Sequence, residues 1–295
     1  MAQSVPGAWR SPLASRRSPE AQDVSKAGRG SYLTLASAVL LSVFPLYWMF
    51  VVASNDSSAL NRIPPVVVPG PNFIEHSRDV FDSIPFVRAV ANSFIVSGAI
   101  TVSVVFFSTL AGFAFAKLRF KGRGALFLIV IATMMVPVQL GIIPQYMIMA
   151  RLGWLNQLQA VIVPGMVTAF GVFWMRQYVK GAVPDELLDA GRVDGCSTFR
   201  LFLHVVVPAV RPAALVLALF TFMQSWNDFF WPLVVLRDPT KQTVQIALQQ
   251  LNDAYYQDYG MVMAGTALAV LPVIVVFLLL GRHIIGGLME GALKG

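Results

Sequence analysis

The strongest constraint on this chain is its repetition of long apolar runs. Six stretches, Tyr32–Ala53, Ala89–Ala116, Ala125–Met149, Leu158–Val179, Pro212–Leu236 and Met261–Arg282, are each long enough to cross a hydrocarbon core about 30 Å thick, which takes roughly 20 helical residues. Hydrocarbon offers no partner to a bare N–H or C=O, so a spanning segment must satisfy its own backbone, as a helix does. With 56% apolar and only 13% charged residues, a soluble fold would be left exposing too much apolar surface. The prediction is an all-α polytopic membrane protein with six transmembrane helices.

Charge sets the orientation. A net charge of +7 is compatible with nucleic acid, but the Lys and Arg residues flank the apolar runs instead of sharing one soluble face, so no nucleic-acid role is expected. With the N-terminus inside, only Arg62, Arg78, Arg88, Arg151, Arg237 and Lys241 of the 22 basic residues fall in outer segments. The positive-inside rule therefore predicts both termini cytoplasmic. Residues 1–30, rich in Ser, Pro, Arg, Ala and Gly, read as a disordered cytoplasmic tail, and 31–295 as the transmembrane domain. A single cysteine, Cys196, excludes an intrachain disulfide.

Five prolines, Pro64, Pro65, Pro69, Pro71 and Pro85, predict an extended, irregular outer connection over Ser54–Arg88. Polar side chains inside the spans must face protein or water. Gln139 is one, about 21 Å along the third span from Ala125 at 1.5 Å per residue. The fifth span carries Gln224, Asn227 and Asp228 towards its outer end, with Trp226 and Trp231 placed for an interfacial aromatic belt. Gln139, Gln224, Asn227 and Asp228 either border a pathway or gate, or tie their helices to neighbours. The residues alone leave both readings open.

One stretch, Gly181–Pro212, is charged and amphipathic for thirty residues in an otherwise apolar chain. Pro184 at the first helical position, followed by Asp185 and Glu186, marks a helix start. Asp194-Gly195 breaks that helix. Phe199, Phe202, Leu203 and Val206 then fall at i, i+3, i+4 and i+7, predicting a second short helix with that face apolar, stopped by Pro208.

This stretch resembles the cytoplasmic coupling loop, or EAA loop, of permease subunits in binding-protein-dependent ABC importers, patterned Glu-Ala-Ala, three residues, Gly, and later Leu-Pro. Asp189-Ala190-Gly191 stands at Glu-Ala-Ala, Gly195 at the glycine, and Val207-Pro208 at Leu-Pro. Asp189 keeps the acid on a shorter arm, and Gly191 still leaves no bulk towards a partner. Phe-Ala-Phe-Ala-Lys117, Trp226-Asn-x-Phe with Pro232-Leu233, and the ending Gly-Ala-Leu-Lys-Gly295 are similar to MalG-like permeases of carbohydrate importers.

The resemblance implies a type I ABC importer permease fold in the bacterial cytoplasmic (inner) membrane. It implies a coupling loop over 181–208, in which Glu186, Asp189, Ala190, Gly191, Asp194, Gly195, Phe199 and Pro208 shape the contact with an ATPase groove. The implied partners are a second permease, two ATP-binding subunits that hold ATP and Mg, and an extracytoplasmic sugar-binding protein. The outer segment from Arg237 to Gly260, through Gln249, Asn252, Tyr255 and Tyr256, is expected to reach that binding protein, and the C-terminal tail to approach the ATPases. The expected substrate is a di- or oligosaccharide, such as cellobiose or lactose.

No G-x-x-x-x-G-K-S/T phosphate loop occurs, so no cofactor is expected in this chain, and energy must come from another one. His76, His204 and His283 lie in separate segments without a zinc spacing, and no catalytic set is apparent; no enzymatic activity is expected. The alternative is a self-sufficient secondary transporter or channel. That class usually holds an ionisable residue at mid-membrane, whereas Asp228, the only acid inside a predicted span, lies near its end.

Overall fold

The computed structural model describes residues 28–56, 58, 62–252 and 258–292, of which 29, 280 and 282–292 by backbone alone. Among the described residues all regular structure is helical. The chain divides after Tyr47 into two units. The described part of the first unit belongs to helix α1 (Arg29–Ser54), where Leu33, Leu40 and Leu41 are all exposed. A helix apolar on every side suits lipid.

The second unit holds the end of α1 and the remaining helices. These are α2 (Phe73–Ser83), α3 (Phe86–Lys117), α4 (Arg123–Thr133), α5 (Ile142–Arg151), α6 (Gln159–Gly165), α7 (Ala169–Ala182), α8 (Asp185–Val193), α9 (Thr198–Leu201), α10 (Val207–Ala209), α11 (Arg211–Trp226), α12 (Phe230–Val235), α13 (Val244–Gln249) and α14 (Tyr259–Ala292).

At the centre lies α3, about 48 Å long at 1.5 Å per residue. Its buried stripe, Ala89, Ser93, Val96, Ile100, Val104, Ser108 and Gly112, recurs every three or four residues and is rich in small side chains. Small residues let helices approach closely where lipid supplies no hydrophobic drive. Against this stripe pack α7 and α11. At Gly112 the approach is tightest: a Cβ there would stand 2.7 Å from the backbone nitrogen of Arg176.

Among the described residues four helices are long and apolar enough to cross a membrane, Gly30–Ser54, Phe86–Lys117, Gln159–Ala182 and Tyr259–Leu279, or up to six if each bent pair counts as one span. The predicted third span is not continuous. It stops at Thr133 and restarts as a 3₁₀ turn, Val138–Gly141, with a bend of 91°. Pro137 lacks the N–H that a continuing helix needs and takes an extended ψ of 125°. The fifth is interrupted too: α11 ends at Trp226, and α12 begins at Phe230. A third interruption separates α6 from α7, where the Thr168 hydroxyl caps α7 by accepting from the Gly171 amide at 3.1 Å.

The outer connection is not irregular throughout. All five prolines lie before Phe73 or after Ser83, and the proline-free interval forms α2, which packs on α14. It buries His76 and Val80, and the His76 Nδ1 lies 2.8 Å from the Ala53 carbonyl oxygen. The two tryptophans pack against protein. Trp226 is 1% exposed, with the rings of Phe94 and Phe222 at 4.9 and 5.7 Å, and the Trp231 indole donates to the Ala160 carbonyl at 3.0 Å. Packing inside the protein offers these rings more contact than a headgroup region would.

Candidate functional site

Two places collect the residues singled out above: the charged segment after α7, and a cavity where helices break.

In the charged segment, Pro184 takes the N-cap position, one residue earlier than predicted, and α8 follows. Its end is a Schellman motif. The Gly195 amide donates to the Arg192 carbonyl at 3.0 Å and the Cys196 amide to the Gly191 carbonyl at 2.9 Å, with Gly195 at φ 78°. Ser197 then caps α9, its hydroxyl accepting from the Arg200 amide at 3.3 Å. The second helix differs from its predicted face. A π turn, Phe202–Val206, shifts the register, so that Leu201, Phe202, Val206 and Val210 are buried while Phe199 and Leu203 are exposed. Pro208 does not stop this helix; it lies within α10, which runs on to Ala209.

The two short helices are held to the body from beneath. Leu188, the one fully buried residue of α8, enters the same apolar core as Phe202, whose ring lies 5.8 Å from Phe113 of α3. At the edge, the Lys117 ammonium donates to the Asp185 carboxylate at 2.8 Å, joining the end of α3 to the start of α8. Sequence reading missed this pair, because Lys117 registers only as an orientation charge and Asp185 only as a helix-start acid. Gly191 faces inward, contrary to expectation: a Cβ there would meet the Leu201 Cδ2 at 2.5 Å, so the glycine accommodates this chain's own second helix.

The outward side of the segment is charged and apolar together. Glu186, Asp189, Ala190, Asp194 and Gly195 are exposed, as are Leu187, Val193 (88%) and Phe199 (58%). Asp189 accepts from the Arg192 guanidinium at 2.6 Å, one turn on.

The cavity, about 640 Å³, draws its wall from all three interruptions: Gln139 from the 3₁₀ turn, Thr168 from the gap before α7, and Asp228 from the gap before α12. Gln145 and Gln224 complete its polar side, and Phe230 and Trp231 add aromatic surface. The structure thus brings Gln139, Gln224 and Asp228 together. It leaves Asn227 aside, where its amide donates to the Met223 carbonyl at 2.8 Å and its oxygen accepts from Gln245 at 3.4 Å. Thr168 and Phe230 carry no sequence signal of their own; Gln145 shares that of Gln139, an amide inside the third predicted span, and Trp231 registers only as an aromatic residue near a span end. Irregular backbone at membrane depth is tolerated only where protein buries it or water reaches it, which suits a cavity wall.

On the opposite connection, Gln249 ends α13 and Asn252 follows, both exposed. This segment is not a plain solvated loop, because Val244, Ile246 and Ala247 are buried. Tyr255, Tyr256 and the final residues 293–295 lie outside the described residues, as does the tail over 1–27.

Among the described residues no group of three or more His, Cys, Asp or Glu side chains could hold a metal ion.

Comparison with known proteins gives one consistent answer. The arabinooligosaccharides transport system permease protein AraQ of Bacillus subtilis (strain 168) is 34% identical over 260 residues, covering 87% of this chain and 92% of that protein. The lactose transport system permease protein LacG of Rhizobium radiobacter is 33% identical, covering 89% and 95%. The fold matches a chain in the crystal structure of a bacterial ABC transporter involved in import of the acidic polysaccharide alginate, with a TM-score of 0.75 at 23% identity over 86% of this chain and 94% of that one. Residues 83–288, which take in the cavity and the charged segment, match the family model described as binding-protein-dependent transport system inner membrane component. The chain belongs to that family of transport permeases.

Proposed function

We propose that this chain is the permease subunit of an ATP-driven importer for a di- or oligosaccharide. It pairs with a second permease, takes its energy from two ATP-binding subunits that hold ATP and Mg, and receives its solute from an extracytoplasmic sugar-binding protein. The observation that carries the reading is the 181–208 segment. Leu188 and Phe202 anchor it to the core, yet Leu187, Val193 and Phe199 stand exposed among charges, a pattern suited to a partner's groove.

Both termini and this segment lie on the cytoplasmic side of six spans, the third built from α4 and α5 and the fifth from α11 and α12. ATP-driven closure of the partner grooves shifts α8 and α9 together, since the Gly195 turn and Leu201 hold them at a fixed angle. The shift passes to α3 through the Asp185–Lys117 pair and to the core through Leu188 and Phe202. Coupling of this kind requires contacts that differ between two states of the assembly. Glu186, Asp189, Ala190 and Phe199 touch the ATPase, while Gly191, Asp194, Gly195 and Pro208 set the shape. Gln139, Gln224 and Asp228 line this chain's share of the passage. Gln249, Asn252, Tyr255 and Tyr256 face the binding protein. Relatives named for arabinooligosaccharides and lactose support a saccharide solute, while the sn-glycerol-3-phosphate permease of Yersinia pestis, 32% identical, is named for a phosphorylated one, so the names do not set the charge of the solute.

The test is purification of the tagged chain in mild detergent. Recovery with an ATPase and a second permease, in a complex whose ATPase is stimulated by a binding protein loaded with sugar, is the expected result. Recovery of this chain alone, transporting without ATP, would overturn it in favour of a secondary transporter.

A further inference from the structure

The cavity carries one formal charge. Of its lining side chains Asp228 is the only carboxylate, and among the described residues no Lys, Arg or His lines the wall. Its other polar side chains include the carboxamides of Gln139, Gln145 and Gln224 and the hydroxyls of Thr168, Thr221 and Ser225, which both donate and accept, and so suit hydroxyls without favouring either sign of charge. Asp228 stands between the end of α11 and the start of α12, its carboxylate held by backbone hydrogen bonds from Trp231 and Phe230, so the two opposed helix ends leave the carboxylate as the charge that counts. The Trp231 indole N–H, which could solvate an anion, is already committed to the Ala160 carbonyl.

We propose that Asp228 gives this cavity a fixed negative potential, which turns away carboxylated and phosphorylated solutes and passes neutral polyhydroxylated ones. The proposal rests on the reading of the cavity as part of the passage, and it adds a second check on solute charge after the binding protein. Vicinal hydroxyls can donate to the carboxylate while the carboxamides take the remaining hydrogen bonds and Phe230 and Trp231 cover apolar ring faces. An anionic solute meets the same carboxylate with no cation on this wall to offset it.

The potential can be read without knowing the solute. In the complete transporter reconstituted in liposomes, with Cys196→Ser removing the native thiol, Gln224→Cys places a thiol one helical turn from Asp228. Labelling rates are compared for a cationic trimethylammonium and an anionic sulfonate thiosulfonate of similar size. A unit charge about 6 Å away in water biases that ratio roughly tenfold towards the cation. Asp228→Asn should abolish most of this bias. Asparagine replaces aspartate well where a side chain caps a helix start, so charge is removed with little change in shape. Asp228→Glu, retaining the charge, should keep the bias and confirm that the assembled complex tolerates change here. An unchanged ratio in Asp228→Asn overturns the charge role and leaves the pathway reading intact. Failure of both reagents to reach the thiol introduced by Gln224→Cys, with and without ATP, while one introduced by Gln249→Cys labels normally, overturns the pathway reading and this proposal with it.

Discussion

Gly195 takes φ 78° in the turn between α8 and α9, a backbone conformation that L side chains rarely adopt. An L-residue there costs about 1–2 kcal/mol in a left-handed conformation, and asparagine costs less. Gly195→Leu should therefore lower ATP-driven uptake at least about tenfold at unchanged membrane level, with Gly195→Asn intermediate, as solute uptake beside immunoblotting would show. Asp185 makes a second prediction. The hydrogen bond from the Lys117 ammonium, and then its charge, hold the Asp185 carboxyl below its ordinary value of 3.8. A lowered native pKa means the contribution is fully present above that ordinary value and is lost as pH falls through the lowered one. Asp185→Asn should flatten the acid limb of a thermal-stability profile in detergent. At neutral pH it should cost more than Lys117→Met, because the Lys117 side chain, 7% exposed, is left buried without its counter-charge.

At the scale of elements, side chains from α3 stand in for strand or helix partners that the outer segment lacks. The Asn92 amide donates to the Thr240 and Gln242 carbonyls at 3.1 and 3.0 Å, and the Ser93 hydroxyl accepts from the Val244 amide at 2.8 Å. Asn92→Leu keeps the volume but strands two carbonyls, at a cost of about 1–3 kcal/mol. Faster hydrogen exchange over Val244–Ala247, with little change along α7, is the expected signature. The three helix interruptions belong to this scale as well. They lie at Pro137, which cannot donate to a continuing helix, at Thr168, which caps the start of α7, and at Asn227–Asp228 between α11 and α12, and together they line the cavity with Gln139, Thr168 and Asp228.

For the whole molecule, the exposed apolar surface of α4, α5 and the turn between them, including Leu128, Met135, Val138 and Ile143, requires lipid or another subunit. Sidedness follows from the basic residues, few of which lie in the outer segments. In a Cys196→Ser chain in intact cells, a membrane-impermeant thiol reagent should label Lys241→Cys and spare Arg119→Cys. The reverse pattern would invert the topology and place 181–208 outside, out of reach of any cytoplasmic ATPase.

The sequence by itself determined that this chain is helical and made for a membrane, since a long apolar run in lipid has no other way to satisfy its backbone. It also determined the turn at Gly195, because a helix that ends on glycine depends only on residues within a turn or two. The register of the second short helix was only half legible: Phe202 and Val206 are buried as predicted, but with a π turn at Phe202–Val206 the rest of the face falls on Leu201 and Val210 instead of Phe199 and Leu203. The pairing of Lys117 with Asp185, 68 residues apart, was not legible either. Nor was the convergence of Gln139 with Gln224 and Asp228, which a continuous helical reading places on two separate, unbroken spans. These features depend on how helices pack, and packing is settled by contacts between distant residues: Gly112 against α7, Leu201 against Gly191, and Trp226 drawn inward by Phe94 and Phe222.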